Sequence, residues 1–310
     1  MKNSNYIVIA DSGSTKTDWL LVENKAILYQ KKSKGLNPMF LTEDEIVEAV
    51  SKEKIFKDEL EKIKEVHFFG AGCSSDERNN RMKNALRKMF TKATIYVEHD
   101  MKAAALACCE GEAGLACILG TGSNICFFDG KKIHDSKHGI GYILGDEGSG
   151  SYFGKKIIAY YLYGIMPRDL HRRFKAYCRY NRDELIQKVY HEKAANIFLA
   201  DFARFMTKNK NHGFIKNLIS KGMNEFFDTH IETFEQCREY PIHFAGSIAH
   251  HFSETIHQCA IERNLMIGNI IQRPAEQLAS IITPQSKPTE KRKKTRSRKF
   301  KSPRKKESKK

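Results

Sequence analysis

The sequence lacks most of the features that mark membrane, secreted or metal-cluster proteins. No apolar run approaches the ~20 residues that a membrane-spanning helix needs. The first residues contain no apolar leader segment with a cleavage site, so we expect a cytoplasmic protein. The eight cysteines show no CxxC or other metal-ligand spacing, which favours reduced thiols buried in a core over a zinc or iron–sulfur site.

Acidic residues are scarce in one part of the chain, its C-terminal end. Residues 287–310 contain 14 Lys or Arg and two acids, whereas the preceding residues contain 39 Lys or Arg and 35 acids. The formal net charge of +16 therefore belongs mainly to a tail, which has one aromatic residue and is predicted to be disordered. Two interpretations remain open: nonspecific attraction to nucleic acid or an anionic surface, and a dispensable solvated extension.

Residues 6–31 lack the GxxxxGK[ST] phosphate-binding loop, yet they are rich in small and hydroxyl side chains. An apolar run predicts a strand at residues 6–10, and a second strand begins at Asp18, so residues 12–17 form a hairpin turn. Backbone N–H groups and hydroxyls in such a turn can surround phosphate oxygens. Asp11, at the strand end, is placed to hold a divalent metal ion through water. The alternative is an ordinary hairpin with a polar turn.

The order of predicted strands and helices repeats in the second half of the chain. The first half predicts three strands followed by helix, strand, helix, strand and helix, and from Gly114 the pattern restarts around LGTGSNICF. A mainly helical stretch, residues 152–233, interrupts the repeat. Two similar α/β halves predict a cleft between them, and such clefts are common ligand sites. Because each half brings one small-residue turn, we expect a nucleotide held from both sides.

Four motifs in this order, DSGSTKTDW, LGTGSN, GDEGSG and FAGSIA, resemble the sugar kinase/Hsp70/actin superfamily. Within it they are most similar to the BadF/BadG/BcrA/BcrD ATPase group and its N-acetylglucosamine kinases, over residues 5–285. The resemblance implies an α/β fold of two ribonuclease-H-like domains, each with a mixed five-stranded sheet, and a helical insertion in the second half. The implied domains are residues 1–113 and 114–286, with the last helix packing back on the first domain, followed by the tail.

The resemblance also implies an activity and its cofactors. It implies an ATP-dependent kinase that phosphorylates an amino sugar, most closely N-acetylglucosamine to its 6-phosphate, with ATP and Mg²⁺ bound and a homodimer formed. Asp100, at the end of a predicted strand, corresponds to the general base, and Asp11 to the magnesium residue. The residues expected at ATP or its phosphates are Gly13, Ser14, Thr15, Lys16, Thr17, Thr121, Gly122, Gly246 and Ser247. Those expected at the sugar are Asn37, Ser123, Asn124, Gly139, Ile140 and Asp146.

Several of these residues have a plainer alternative. Asp100 and Asp146 each precede a predicted helix, where Asp is a good N-cap. Asn37 lies in a Gly-Leu-Asn-Pro turn and suits that turn without any ligand. Lys16 is expected either to neutralise phosphate charge or to extend into solvent.

Two features leave the substrate and the activity open. Ile140 stands where family members can carry a tryptophan that packs on the sugar, and Trp19 is the only tryptophan here. N-acetylmuramic acid and glucosamine therefore remain candidates. The alternative function is a nucleotide-binding regulator, or a BadF-type ATPase activator without kinase activity. Such an activator binds an iron–sulfur cluster, but Cys108 and Cys109 occupy consecutive helix positions that point in different directions.

Overall fold

The computed structural model describes residues 5–134 and 139–282. The predicted disorder of residues 287–310 lies outside these ranges. Within them, no helix is long and apolar enough to cross a membrane.

The first half of the chain is built on a mixed five-stranded sheet. The strand order is β3-β2-β1-β4-β5, in which the first three strands are antiparallel and β4 and β5 continue from β1 in parallel. Its strands are β1 Tyr6–Ser12, β2 Lys16–Glu23, β3 Ala26–Lys34, β4 Ile63–Gly70 and β5 Thr94–His99. Its helices are α1 Glu43–Lys52, α2 Asp76–Met89 and α3 Asp100–Cys109.

The second half repeats this topology. Its strand order, β8-β7-β6-β9-β10, has the same two antiparallel and two parallel pairings about the first strand β6. Its strands are β6 Ala113–Leu119, β7 Ser123–Asp129, β8 Ile133–His134, β9 Ile242–Ala245 and β10 Ile267–Ile271. Its helices are α4 Gly150–Leu162, α5 Arg168–Tyr177, α6 Arg182–His191, α7 Ala195–Asp201, α8 Ala203–Lys208, α9 Gly213–Phe226, α10 Ser247–His251, α11 Ser253–Arg263 and α12 Pro274–Ile281. The predicted pair of mixed five-stranded sheets and the helical insertion are confirmed.

Local sequence signals explain where several helices begin. A capping box precedes α1, because the Thr42 hydroxyl accepts from Glu45 N and the Glu45 carboxylate accepts from Thr42 N. Helix α2 buries Met82, Ala85 and Leu86 on one face, as its apolar spacing predicts. Phe252 separates α10 from α11, since it is the C-cap of the first helix and the N-cap of the second.

Helix α3 packs between the two sheets and positions its first residue. Seven of its ten residues are buried, and most of them are alanines that allow close approach on every side. Ala103 and Ala107 pack with β1, β2 and α12. Met101 and Ala105 pack on the opposite side, against β6 and β7. Asp100 therefore begins a helix that is held rigidly between both halves.

Candidate active site

The candidate site is a cleft of about 1010 Å³ between the two sheets. In both halves the residues that line it follow the carboxyl ends of the parallel strands, where open α/β sheets usually bind ligands. Asp11, Gly72 and Asp100 come from the ends of β1, β4 and β5. Gly120 and Gly246 come from the ends of β6 and β9. The duplicated topology thus brings two equivalent edges to face each other.

The first small-residue turn lies in the β1–β2 hairpin. The turn is tight, because Gly13 N donates to Lys16 O at 3.0 Å. Gly35 fastens the next loop to it by donating to Thr15 O at 3.0 Å. A β-carbon on Gly35 would lie 2.3 Å from Ser14 O, so only glycine permits this approach. The loop that carries Asn37 is therefore built directly on the turn.

The second turn, between β6 and β7, faces the first across the cleft. Gly120 N donates to Gly122 O at 3.0 Å, and Gly150 N, at the start of α4, donates to Gly120 O at 2.8 Å. The hydroxyls of Thr15 and Thr121, 106 residues apart in sequence, are hydrogen-bonded at 2.8 Å. The tips of the two turns therefore meet at one point.

The adenosine-type motif at Gly246 approaches the second turn closely. Gly246 has φ +116°, a conformation that favours glycine, and a β-carbon there would lie 2.4 Å from Leu119 O. Its N–H donates to Ile271 O at 2.8 Å, which joins it to β10. Gly246 and Ser247 both line the cleft. Glycine is thus required here by backbone geometry alone.

Three carboxylates, Asp11, Asp18 and Asp100, lie at the first turn, and the pKa of Asp11 responds to the other two. Burial raises the pKa of Asp11 to about 7, and the charges of Asp100 and Asp18 add to this effect while Lys16 opposes it. Burial is the main cause that raises the pKa of Asp100. Lys16 Nζ lies 2.7 Å from Asp18 Oδ2 rather than extending freely into solvent. Three carboxylates therefore share this part of the cleft with the salt-bridged Lys16.

This excess of negative charge fits a divalent cation. Asp18 is 4% exposed, and its Oδ1 atom is buried without a hydrogen-bond partner among the described residues. Across the described ranges, no group of three or more His, Cys, Asp or Glu is arranged to hold a metal ion by itself. Magnesium suits such a site, because it keeps several waters and needs only one or two carboxylates beside substrate phosphates.

A second set of polar side chains lines the cleft on the side of the Asn37 loop. Asn37 is 7% exposed, and its Oδ1 accepts from Met39 N at 2.9 Å, so it does form the turn expected of it while also facing the cleft. Asp146 Oδ1 accepts from Ser123 N at 3.0 Å. The Ser123 hydroxyl is buried and has no hydrogen-bond partner in the described part of the chain.

The N-cap positions of α3 and α4 are occupied by residues other than the two aspartates. His99 caps α3, since its Nδ1 accepts from Met101 N at 3.2 Å, and Asp100 is the first helical residue. Ser149 caps α4, where its hydroxyl accepts from Tyr152 N at 3.2 Å. Burial raises the pKa of Asp146, although the Ser123 N–H opposes this shift. Neither aspartate is therefore the N-cap residue of its helix, although the backbone N–H groups of Asp100 and Met101 lower the pKa of the Asp100 carboxyl.

Most of the sequence-predicted residues line this one cleft. They are Asp11, Gly13, Ser14, Thr15, Lys16, Asn37, Asp100, Thr121, Gly122, Ser123, Asn124, Gly139, Asp146, Gly246 and Ser247.

Two predicted residues do not line the cleft. Thr17 was expected in the turn beside phosphate, but β2 begins at Lys16 and Thr17 is fully buried. Its hydroxyl is bonded to the Ser12 hydroxyl at 2.8 Å and donates to Lys34 O at 3.0 Å. Ile140 was expected at the sugar, but it is 56% exposed and lies against Gly145, and the aromatic side chain that lines the cleft from this loop is Tyr142.

Several cleft residues from the helical insertion and from three loops were not predicted from the sequence. Helices α7 and α8 supply both apolar and basic side chains to the cleft. The missed residues include Met39, Phe40, Tyr142, Asn196, Phe198, Arg204, Lys208 and Arg273. Only Arg204 and Lys208 left a signal, because basic residues four apart on an otherwise apolar helix share one face.

The two sheets, their facing turns and the cleft between them define an actin-like ATPase/sugar kinase fold. The chain belongs to the BadF/BadG/BcrA/BcrD ATPase family, whose description its residues 10–285 match.

A solved structure and a curated relative are similar to this chain. A structure from Porphyromonas gingivalis, of a protein provisionally named N-acetylglucosamine kinase, is 35% identical, with a TM-score of 0.84 over 88% of this chain and 97% of that one. An N-acetylmuramic acid/N-acetylglucosamine kinase of Clostridium acetobutylicum is 28% identical over 162 residues. That match spans 49% of this chain and 52% of the relative, so the chain covers about half of the curated relative's length.

A more distant structure shares the fold. A ROK-family glucokinase from Streptomyces griseus, solved with glucose and AMPPNP, is 14% identical, with a TM-score of 0.55 over 89% of this chain and 98% of that one.

Proposed function

We propose that this protein is an ATP-dependent kinase that phosphorylates an amino-sugar hydroxyl, with N-acetylglucosamine and its 6-hydroxyl as the first candidates. The observation that carries the proposal is the meeting of the two turns at the Thr15–Thr121 hydrogen bond of 2.8 Å, in the cleft that Asp100 also lines. Phosphoryl transfer requires phosphates held in line, neutralised charge and an acceptor for the hydroxyl proton. The cleft supplies a candidate group for each requirement.

The two turns would hold the phosphates of ATP. The N–H groups and hydroxyls of residues 13–15 approach from one half of the cleft, and those of Thr121 and Gly122 approach from the other. Asp11, through water, and Asp18 are the residues that would hold Mg²⁺, which when bound neutralises phosphate charge. Gly246 and Ser247 would lie against the adenosine, because glycine there lets the backbone approach the nucleotide.

Asp100 would accept the proton of the attacking sugar hydroxyl. A general base works best when its pKa lies near the working pH, and burial raises the pKa of Asp100 in that direction. Its place at the start of α3, between the sheets, fixes its carboxylate relative to both halves. Asn37, Ser123, Asn124 and Asp146 would bind the other sugar hydroxyls, since amide, hydroxyl and carboxylate groups together supply donors and acceptors.

A substrate panel tests this function. ADP formation would be measured with Mg-ATP alone and then with N-acetylglucosamine, N-acetylmuramic acid, glucosamine and glucose in turn. We expect an N-acetylated amino sugar to stimulate ADP release far above the rate with ATP alone, and NMR of the product to show which hydroxyl carries phosphate. If no sugar stimulates turnover, the nucleotide-binding regulator becomes the better account.

The alternative of a BadF-type activator has a separate test. Seven of the eight cysteines are buried, Cys178 is half-buried, and all are unpaired thiols. Burial raises the pKa of Cys109 to about 12, which disfavours the thiolate that an iron–sulfur cluster needs. Unpaired thiols also suit a reducing compartment, so the proposed location is the cytoplasm. A coloured, iron-containing protein purified without oxygen would support the activator over the kinase.

A further inference from the structure

The loop that carries Asp146 has an unusual backbone. Asp146 has φ +63°, and Gly148 has φ +68°. A residue other than glycine is uncommon in this region, and the surrounding structure must hold it there. The Asp146 side chain fits closely against the second turn, because a β-carbon on Gly122 would lie 2.8 Å from Asp146 Oδ2. A small movement of this loop would therefore displace the carboxylate from the cleft.

The residue after Asp146 is tied to a buried histidine. His230 is 3% exposed, and its Nε2 lies 2.8 Å from Glu147 Oε2. A carboxylate oxygen can only accept a hydrogen bond, so the imidazole is the donor. Neither His230 nor Glu147 is among the described residues that line the cleft. The Glu147–His230 hydrogen bond therefore holds the loop from outside the cleft and does not contact a ligand there.

A second contact comes from the same part of the chain. A β-carbon on Gly148 would lie 3.0 Å from the β-carbon of Phe226, so the loop rests directly on that residue. The Phe226 and His230 rings are stacked, with centroids 4.8 Å apart and planes 24° apart. His230 lies in a π-helical turn, Phe227–Ile231, that continues α9. Turns of this kind are rare and frequently mark functional sites.

We propose that Glu147, His230 and Phe226 form a positioning clamp that fixes the Asp146 carboxylate toward the sugar. The clamp is defined by the Glu147–His230 hydrogen bond and by the contact of Phe226 with Gly148. These contacts fall on the two residues after Asp146, and they hold the strained backbone that aims its side chain. The part of this inference that concerns sugar rests on the proposed function, whereas the clamp itself does not.

Two substitutions of His230 and one control separate this role from general stability. His230→Leu removes the donor, while His230→Gln keeps an N–H donor at a similar reach from the backbone. Asn224→Ala, on the preceding helix α9, removes a partly buried side-chain hydrogen bond, because Asn224 Oδ1 accepts from Arg263 Nη1 at 2.7 Å. Amide hydrogen exchange of residues 145–149 would be measured without ligand, and steady-state kinetics would be measured for sugar and ATP.

We expect His230→Leu to accelerate exchange at residues 145–149 while leaving the β1–β2 turn unchanged. The KM for sugar should rise on the order of tenfold or more, the usual effect of losing one hydrogen bond to a charged group. The kcat and the KM for ATP should stay within about twofold, because the interaction lost is one of sugar binding. His230→Gln should restore most of the protection and sugar affinity, and Asn224→Ala should change neither.

Other results would overturn the proposal. Unchanged exchange at residues 145–149 in His230→Leu would show that the clamp does not hold the loop. Equal rises in the KM for sugar and the KM for ATP in His230→Leu would show that His230 has only a structural role. The same effects in Asn224→Ala would lead to the same conclusion. If no sugar stimulates the wild-type enzyme, the proposed function fails and the role of Asp146 fails with it, while the exchange data still decide whether the clamp exists.

Discussion

Replacing Asp11 by asparagine should stabilise the metal-free protein while disabling it. The pKa of Asp11 is raised from 3.8 to about 7 in the folded state, so the folded protein binds a proton more tightly there than the unfolded chain does. Stability from this group is therefore present at low pH and is lost as the pH rises from about 4 to about 7. At 1.36 kcal/mol per pKa unit, the loss reaches about 4 kcal/mol at pH 8.

Urea unfolding with a chelator present measures this effect. Trp19, the single tryptophan, is fully buried next to the hairpin turn and reports unfolding by its fluorescence. We expect Asp11→Asn to raise the free energy of unfolding at pH 8 by up to about 4 kcal/mol, and we expect the gain to shrink as the pH falls toward 4. With Mg-ATP the order should reverse, because the wild type gains binding energy that the variant lacks.

Asp129, a carboxylate whose pKa is lowered rather than raised in the folded protein, provides the control. The Asp129 carboxylate accepts from His134 Nε2 and from the backbone N–H groups of Lys132 and Lys131, and these bonds lower its pKa. Its stability contribution is present above the unfolded pKa and is lost as the pH falls, so Asp129→Asn should destabilise the protein at pH 8. If Asp11→Asn proved less stable than the wild type at pH 8, or if its effect did not change with pH, the account of the acidic cluster would be refuted.

Three further predictions follow from the geometry of the turns and from the charge of the tail. Gly246→Ala places a β-carbon 2.4 Å from Leu119 O, so the KM for ATP should rise on the order of tenfold while calorimetry shows an unchanged sugar Kd. Thr17→Val should lower the free energy of unfolding by about 1–3 kcal/mol in urea titrations and leave the KM for ATP unchanged. A raised KM for ATP in Thr17→Val would instead indicate that Thr17 contacts the ATP phosphates. Removing residues 287–310 should leave turnover intact and abolish any salt-sensitive RNA binding in gel-shift assays, whereas lost turnover would show that the tail belongs to the enzyme.

The duplicated architecture was predictable because its signals are local. Apolar runs, small-residue turns and the Thr42–Glu45 capping box each act over a few residues, and their order fixes the topology once it repeats. The position of Asp100 followed for the same reason, since a strand that ends on an acid before a helix places that acid at the sheet edge. The catalytic and binding roles proposed for these residues rest on the family resemblance, because position alone does not define them.

The errors came from properties that depend on pairing and packing. Thr17 was misplaced because the length of the turn depends on strand register, and β1 and β2 continue pairing as far as Ser12 and Thr17. Which residues of α7 and α8 line the cleft depends on how the helical insertion packs on the rest of the chain. That docking relies on Gly154, where a β-carbon would lie 1.8 Å from Leu199 O. Contacts between segments so distant in sequence leave no local pattern.

Asp100→Asn tests most directly whether Asp100 is the general base of a sugar kinase. The variant keeps the shape of the side chain but cannot accept the hydroxyl proton. With the best sugar from the panel, we expect kcat to fall on the order of 10²–10⁴ while the sugar Kd, measured by calorimetry, stays within a few fold. Turnover equal to that of the wild type would contradict the account.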